Sequence, residues 1–122
     1  MLALAVGLAG AGGAAARYLT DGAVQDRTSG LFPFGTLTVN IAGSLILGFL
    51  AGYTLSHTGG GTAKTVVGTG FCGGLTTWST ASWETVRLAE EGAPRAAITF
   101  ALTNLCASLA AGAVGILVFA AL

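Results

Sequence analysis

Four apolar stretches, each near the roughly 20 residues that a helix needs to cross a bilayer, take up nearly all of this chain. They run from about Leu2 to Thr20, Leu31 to Leu55, Thr62 to Glu90 and Ala93 to Ala121. Pro33 opens the second, and Pro94 falls in the first turn of the fourth, where a missing N–H costs little. The connections Asp21–Gly30, His57–Gly61 and Glu90–Pro94 are short and turn-forming. The expectation is one four-helix transmembrane domain over residues 1–122, all-α and integral to the membrane. No room is left for a soluble domain.

Composition closes off most other classes. Only 8% of the 122 residues are charged, against roughly 25% in typical globular chains, and mean hydropathy is +0.80. Five basic residues balance five acidic ones, so nothing favours nucleic acid or an acidic substrate. The scarcity of charge also argues against disorder. The N-terminus lacks the basic region of a cleaved signal, and no hydrophilic mature chain follows it. Arg27 and Arg95 share one set of loops, with Arg17 and Arg87 near the span ends, while Lys64 lies on the other side. That bias is small, so either orientation is open. Cys72 and Cys106 fall in apolar segments and His57 stands alone in a polar turn, without the spacing of a metal site. No nucleophile–base pair can be assembled, which argues against an enzyme.

The third span carries the most information. Gly73-Gly74-Leu75-Thr76-Thr77 is poor helix, through backbone entropy and β-branching. It reads either as a Gly kink in a continuous helix or as a break near 73–77. A break at membrane depth frees backbone groups that hydrocarbon cannot satisfy, and is tolerated where it lines a cavity or binds an ion. Polar residues elsewhere keep helical spacing: Thr36, Asn40 and Ser44; Asn104 and Ser108; Thr77, Thr80 and Glu84. Hydroxyls often bond their own helix, but the Asn40 amide needs partners in an apolar medium. Pairs such as Gly48–Gly52, Gly70–Gly74 and Ala107–Ala111 permit close helix contact. The stripes outline a narrow path lined by hydroxyls, amides and aromatic edges, with a single carboxylate in a span. Donors without acids favour an anion over a cation.

The segments Gly12-Gly13-Ala14-x-x-Arg17-Tyr18, Gly35-Thr36-Leu37-x-Val39-Asn40-x-x-Gly43-Ser44 and Gly70-Phe71-Cys72-Gly73-Gly74-Leu75-Thr76-Thr77 resemble the Fluc (CrcB-type) fluoride channel family. The resemblance covers nearly the whole chain in order. It implies an antiparallel, dual-topology dimer in the plasma (inner) membrane that exports fluoride passively and so relieves its cytoplasmic toxicity. It also implies a structural Na⁺ at the dimer interface, held by the backbone carbonyls of Gly73 and Thr76. The family's pore-lining Asn corresponds to Asn40, its basic residue to Arg17, its Ser/Thr track to Ser79 and Thr80, and its Glu to Glu84. Arg17 and Glu84 are expected as vestibule or structural charges. Ser108 fits the track, and Asn104 stands where a Tyr is common.

One departure from the family pattern is conspicuous. Typical members read Thr-Thr-Phe-Ser-Thr-Phe, with both rings on the fluoride path. Here Trp78 replaces one ring and Ala81 the other. Trp83 should face elsewhere, because residues i and i+2 do not share a helix face. Such a loss resembles a subunit of a paralogous heterodimer, so homodimer and heterodimer are both open, as is a weakly conducting structural partner subunit. A proton-coupled multidrug exporter is disfavoured, because it needs a membrane-embedded acid that the first span lacks.

Overall fold

Helix α1 covers Leu2–Gln25 in a computed structural model that describes residues 1–56 and 61–120. It outlasts the apolar stretch by five residues beyond Thr20 and takes in Asp21. The extension is capped from outside: Arg27 Nη1 donates to the Ala23 carbonyl at 2.7 Å and Thr28 Oγ1 to that of Val24 at 3.0 Å. Helix α2 covers Phe34–Ser56, starting directly after Pro33 rather than at Leu31. The third expected span is two helices, α3 over residues 61–75 and α4 over Trp78–Glu90. Helix α5 covers Pro94–Ala120. His57 and Ala121, both placed by sequence above, lie outside the described residues.

The turn between α4 and α5 is written in its sequence. Gly92 adopts a φ of +80°, and its N–H bonds the Ala89 carbonyl while the Ala93 N–H reaches back to that of Leu88. This pattern closes a helix end with glycine in the left-handed region. Pro94 then starts the next helix, where its missing N–H is not needed.

Glycine sets how the helices pair. A side chain at Gly48 would strike the Gly112 backbone, one at Gly52 the Ile116 carbonyl, and one at Gly115 the Leu45 carbonyl. The contacts advance together along both chains, so α2 and α5 run parallel. Helix α1 meets α3 in the same way: a Cβ at Gly13 would collide with the Phe71 carbonyl, and one at Gly74 with that of Gly10. Spans one and three therefore point one way and spans two and four the other, as four alternating crossings require. Close backbone approach is the mode of association available to helices in lipid, where apolar surface gives little drive. Gly48→Val should pry α2 from α5 and cost at least about 2 kcal/mol, as backbone overpacking does. Thermal unfolding in detergent, compared with Gly7→Val on an open face of α1, tests this.

Three helices, α1, α2 and α5, are each long and apolar enough to cross a membrane. The fourth crossing is the interrupted α3–α4 segment. Leucines 4, 8, 19, 55, 102, 109 and 117 are exposed, which suits a chain whose solvent is hydrocarbon. The small apolar core is Ala81, Leu88, Ala97 and Phe100 between α4 and α5, with Phe32 edge-on to Phe100 at 5.6 Å. The protein is an all-helical, multi-pass membrane protein.

Candidate functional site

The interruption in the third span falls on the threonines, not the glycines. Gly73–Leu75 is still helical, whereas Thr76 (φ −80°, ψ 159°) and Thr77 (φ −152°, ψ 122°) are extended. Both lie within the stretch 73–77 where a break was expected, as do Gly73 and Gly74. Gly74 instead serves the contact with Gly10, and the chain opens one turn later. Before the break, Lys64–Cys72 is a π-helix, a wide turn that occurs often at functional sites and that nothing in the residue pattern announced.

The broken backbone is repaired by side chains. Asn40 of α2, 6% exposed, accepts the Thr77 N–H on Oδ1 at 2.7 Å and donates from Nδ2 to the Thr77 carbonyl at 3.0 Å. Its amide thus stands in for a peptide unit beside the extended residue. The remaining N–H of Asn40 goes to Oδ1 of Asn104 on α5, at 3.0 Å. Thr77 also caps α4: its Oγ1 accepts the Thr80 N–H at 3.1 Å and donates to Thr80 Oγ1 at 2.9 Å. The sequence carried that signal, a Thr three residues ahead of Thr80 at a helix start, but Thr77 was not among the expected site residues.

These substitutions release two carbonyls. In an unbroken helix the Thr77 N–H would serve the Gly73 oxygen and the Thr80 N–H that of Thr76. Both donors are now engaged elsewhere. The Thr76 oxygen receives Arg17 Nη1 at 3.4 Å. Gly43 makes room for this turn, since a Cβ there would meet Thr76 Cγ2.

Two concavities flank the break. A groove of about 340 Å³ is bounded by Asn40, Ser44, Thr76, Trp78, Asn104 and Ser108, among others. A hollow of about 210 Å³ is lined by Arg17, Asp21, Thr36, Thr77 and Thr80, among others. The expected site residues divide accordingly. Asn40, Trp78, Asn104 and Ser108 meet at the groove, and Arg17 and Thr80 meet in the hollow. Ser79 is exposed, with its Oγ 3.3 Å from that of Thr77.

Glu84 stands apart from both. It pairs with Arg87, which also reaches Glu91 at 3.9 Å, the Leu31 carbonyl at 3.4 Å and the face of Trp83 at 5.5 Å. That cluster ties the α1–α2 connection to α4. Trp78 is 72% exposed at the groove rim, so within one subunit its indole does not plug the groove. Ala81 is buried against the apolar core.

A helix broken at membrane depth, its ends held by buried amides beside a largely apolar groove whose polar groups are hydroxyls and amides, is the design of a membrane ion pathway and not of an enzyme. The chain belongs to the CrcB-like family: the model described as "CrcB-like protein, Camphor Resistance (CrcB)" matches residues 4–116. It is 40% identical over 116 residues to "Fluoride-specific ion channel FluC 1" of Leifsonia xyli subsp. xyli, covering 95% of this chain and 85% of the relative. A protein of the same name from Frankia casuarinae is 45% identical over 114 residues, covering 86% and 85% of the two chains. "Fluoride-specific ion channel FluC 2" of Cutibacterium acnes is 50% identical over 90 residues, 73% of each.

Proposed function

We propose that this chain is a subunit of a passive fluoride channel of the plasma membrane, which lets fluoride leave the cell down its electrochemical gradient. The observation that carries this reading is the Asn40–Thr77–Asn104 network. It holds a broken helix open beside a groove whose polar lining is built of hydroxyls and amides. A small, strongly hydrated anion needs such donors to replace its water, and neutral donors do not trap it as a fixed cation would. The relatives named as fluoride-specific channels support the same ion. The groove is open on one side, so a second four-helix subunit in inverted orientation completes it, giving eight crossings.

Gly73 and Thr76 fit the backbone sodium ligands of such a dimer. Their carbonyls have lost their helical donors, and unwound carbonyls are the usual sodium ligands at membrane depth. One subunit supplies two oxygens, so an interfacial ion would draw on both copies and stabilise their association. Arg17, whose guanidinium reaches the same Thr76 oxygen, shares the hollow with Asp21, so charges of both signs stand beside the break.

The second subunit is either a copy of this chain or a paralogue. The loss of a ring at Ala81 favours a paralogue, and relatives carry names numbered both 1 and 2. Purified protein in liposomes, followed with a fluoride electrode, tests the reading. Fluoride efflux without chloride efflux is expected from this chain alone or with a four-span partner encoded nearby. Folded protein that releases no fluoride in either case overturns it. Efflux from the chain alone removes the need for a paralogue.

A further inference from the structure

This chain contains only two asparagines, Asn40 and Asn104. They lie 64 residues apart in sequence and are hydrogen-bonded to each other in a buried site. Their orientations follow from one fixed point. The Thr77 backbone N–H can only donate, so the Asn40 atom 2.7 Å from it must be the oxygen. Nδ2 of Asn40 then faces the Thr77 carbonyl and Asn104, both at 3.0 Å. A primary amide has two N–H donors, and both are taken.

The Asn104 atom facing Asn40 must therefore be its oxygen, which leaves the Asn104 NH₂ over. Asn104 is 5% exposed and borders the groove. Among the described residues no hydrogen bond takes up its Nδ2. One turn further along α5, the buried Ser108 Oγ also lacks a partner among the described residues and borders the same groove. Residues i and i+4 on a helix are neighbours, so unspent N–H and O–H donors sit side by side.

We propose that in this chain Asn104, with Ser108, supplies the donors that replace water on the passing anion, while Asn40 is a positioning residue that orients Asn104 and closes the helix break. The inference rests on the fluoride reading above and divides the labour within it. The Ser108 hydroxyl, buried without a partner among the described residues, is a cost to the empty groove that an anion there would relieve. Asn104→Asp tests the assignment cleanly. A carboxylate oxygen still accepts from Asn40, so the network at Thr77 survives, but the freed NH₂ becomes a second oxygen.

Protein labelled with ¹⁵N-asparagine in lipid nanodiscs gives two side-chain amide pairs, assigned by the loss of one in Asn104→Asp. Sodium fluoride, with sodium chloride as control, is expected to shift the Asn104 pair and leave the Asn40 pair nearly still. In Asn40→Ser, the Asn104 pair should need at least about tenfold more fluoride for the same shift, the scale of one lost hydrogen bond. In liposomes, Asn104→Asp should lower fluoride efflux at least about tenfold, by the same energy scale. A shift confined to Asn40, or undiminished efflux from Asn104→Asp beside a conducting parent, overturns this assignment alone. A parent that shows neither shift nor efflux overturns the fluoride reading with it.

Discussion

Asn40→Asp is expected to abolish fluoride efflux and to loosen the helix break in the same stroke. Aspartate keeps an oxygen for the Thr77 N–H, but it turns the opposite edge from donor to acceptor. The Thr77 carbonyl, 3.0 Å away, then faces a carboxylate oxygen with no proton between them. Leaving that carbonyl orphaned costs about 1–3 kcal/mol, more beside a charge. Asn104 can answer only by rotating its amide so that the NH₂ serves the new carboxylate. That rotation presents oxygen to the groove in place of the free donor. Stability and conduction fall together, and a negative charge is added beside the path. Efflux should drop by at least about a hundredfold, the factor that roughly 3 kcal/mol of lost anion stabilisation gives. Fluoride-electrode traces and detergent melting curves, set beside those of Asn104→Asp, separate the two effects. Asn104→Asp should lose flux with a much smaller loss of stability. Equal melting temperatures for parent and Asn40→Asp would mean that Asn40 does not hold the break.

What the sequence made legible, and what it did not, follows from the range of the forces involved. The crossings of α1, α2 and α5 were readable because apolar length is a local property. The ends of α1 and α2 were less so, because they depend on caps. Arg27 and Thr28 extend α1 past its apolar stretch, and Pro33 delays the start of α2. The break was legible as a region and not as a residue. Local propensity marks Gly73-Gly74 and Thr76-Thr77 alike, and an isolated propensity cannot tell a glycine that breaks a helix from one that lets another helix approach. Gly74 is the second kind, since it faces Gly10. Thr76 and Thr77 opened instead because Asn40, 37 residues earlier, supplies a substitute for the helical bond.

The candidate site divides along the same line. Asn40, Asn104 and Ser108 stood out one by one as polar residues on apolar helices, but their pairing is a tertiary fact. The spacing of Thr77, Thr80 and Glu84 placed them on one stripe. The structure draws Glu84 away into the Arg87–Trp83 cluster, because a carboxylate near a span end finds a guanidinium one turn along its own helix. The π-helix over Lys64–Cys72 had no local signature at all.

The double variant Trp78→Phe with Ala81→Phe should raise fluoride efflux from this chain reconstituted alone by at least about tenfold, the effect of some 1.4 kcal/mol at the limiting step. Ala81 borders a third cavity, of about 250 Å³, shared with Trp78, Ser82, Thr85, Ala101 and Asn104. Space for a ring is therefore already present beside the Asn104 amide. As it stands, that space can hold water, and water competes with a passing anion for the donors. A phenyl ring at position 81 would displace water and turn a positively polarised edge toward the path. Phe at 78 removes the bulk of the indole, which is 72% exposed at the rim and so stands where a partner subunit would approach. Ala81 also belongs to the apolar cluster of Leu88, Ala97 and Phe100. Flux rising in the double variant, with chloride still excluded, would identify the missing rings as a limit on conduction through this subunit. Flux unchanged in well-folded protein would mean that the missing rings do not limit conduction by this chain alone.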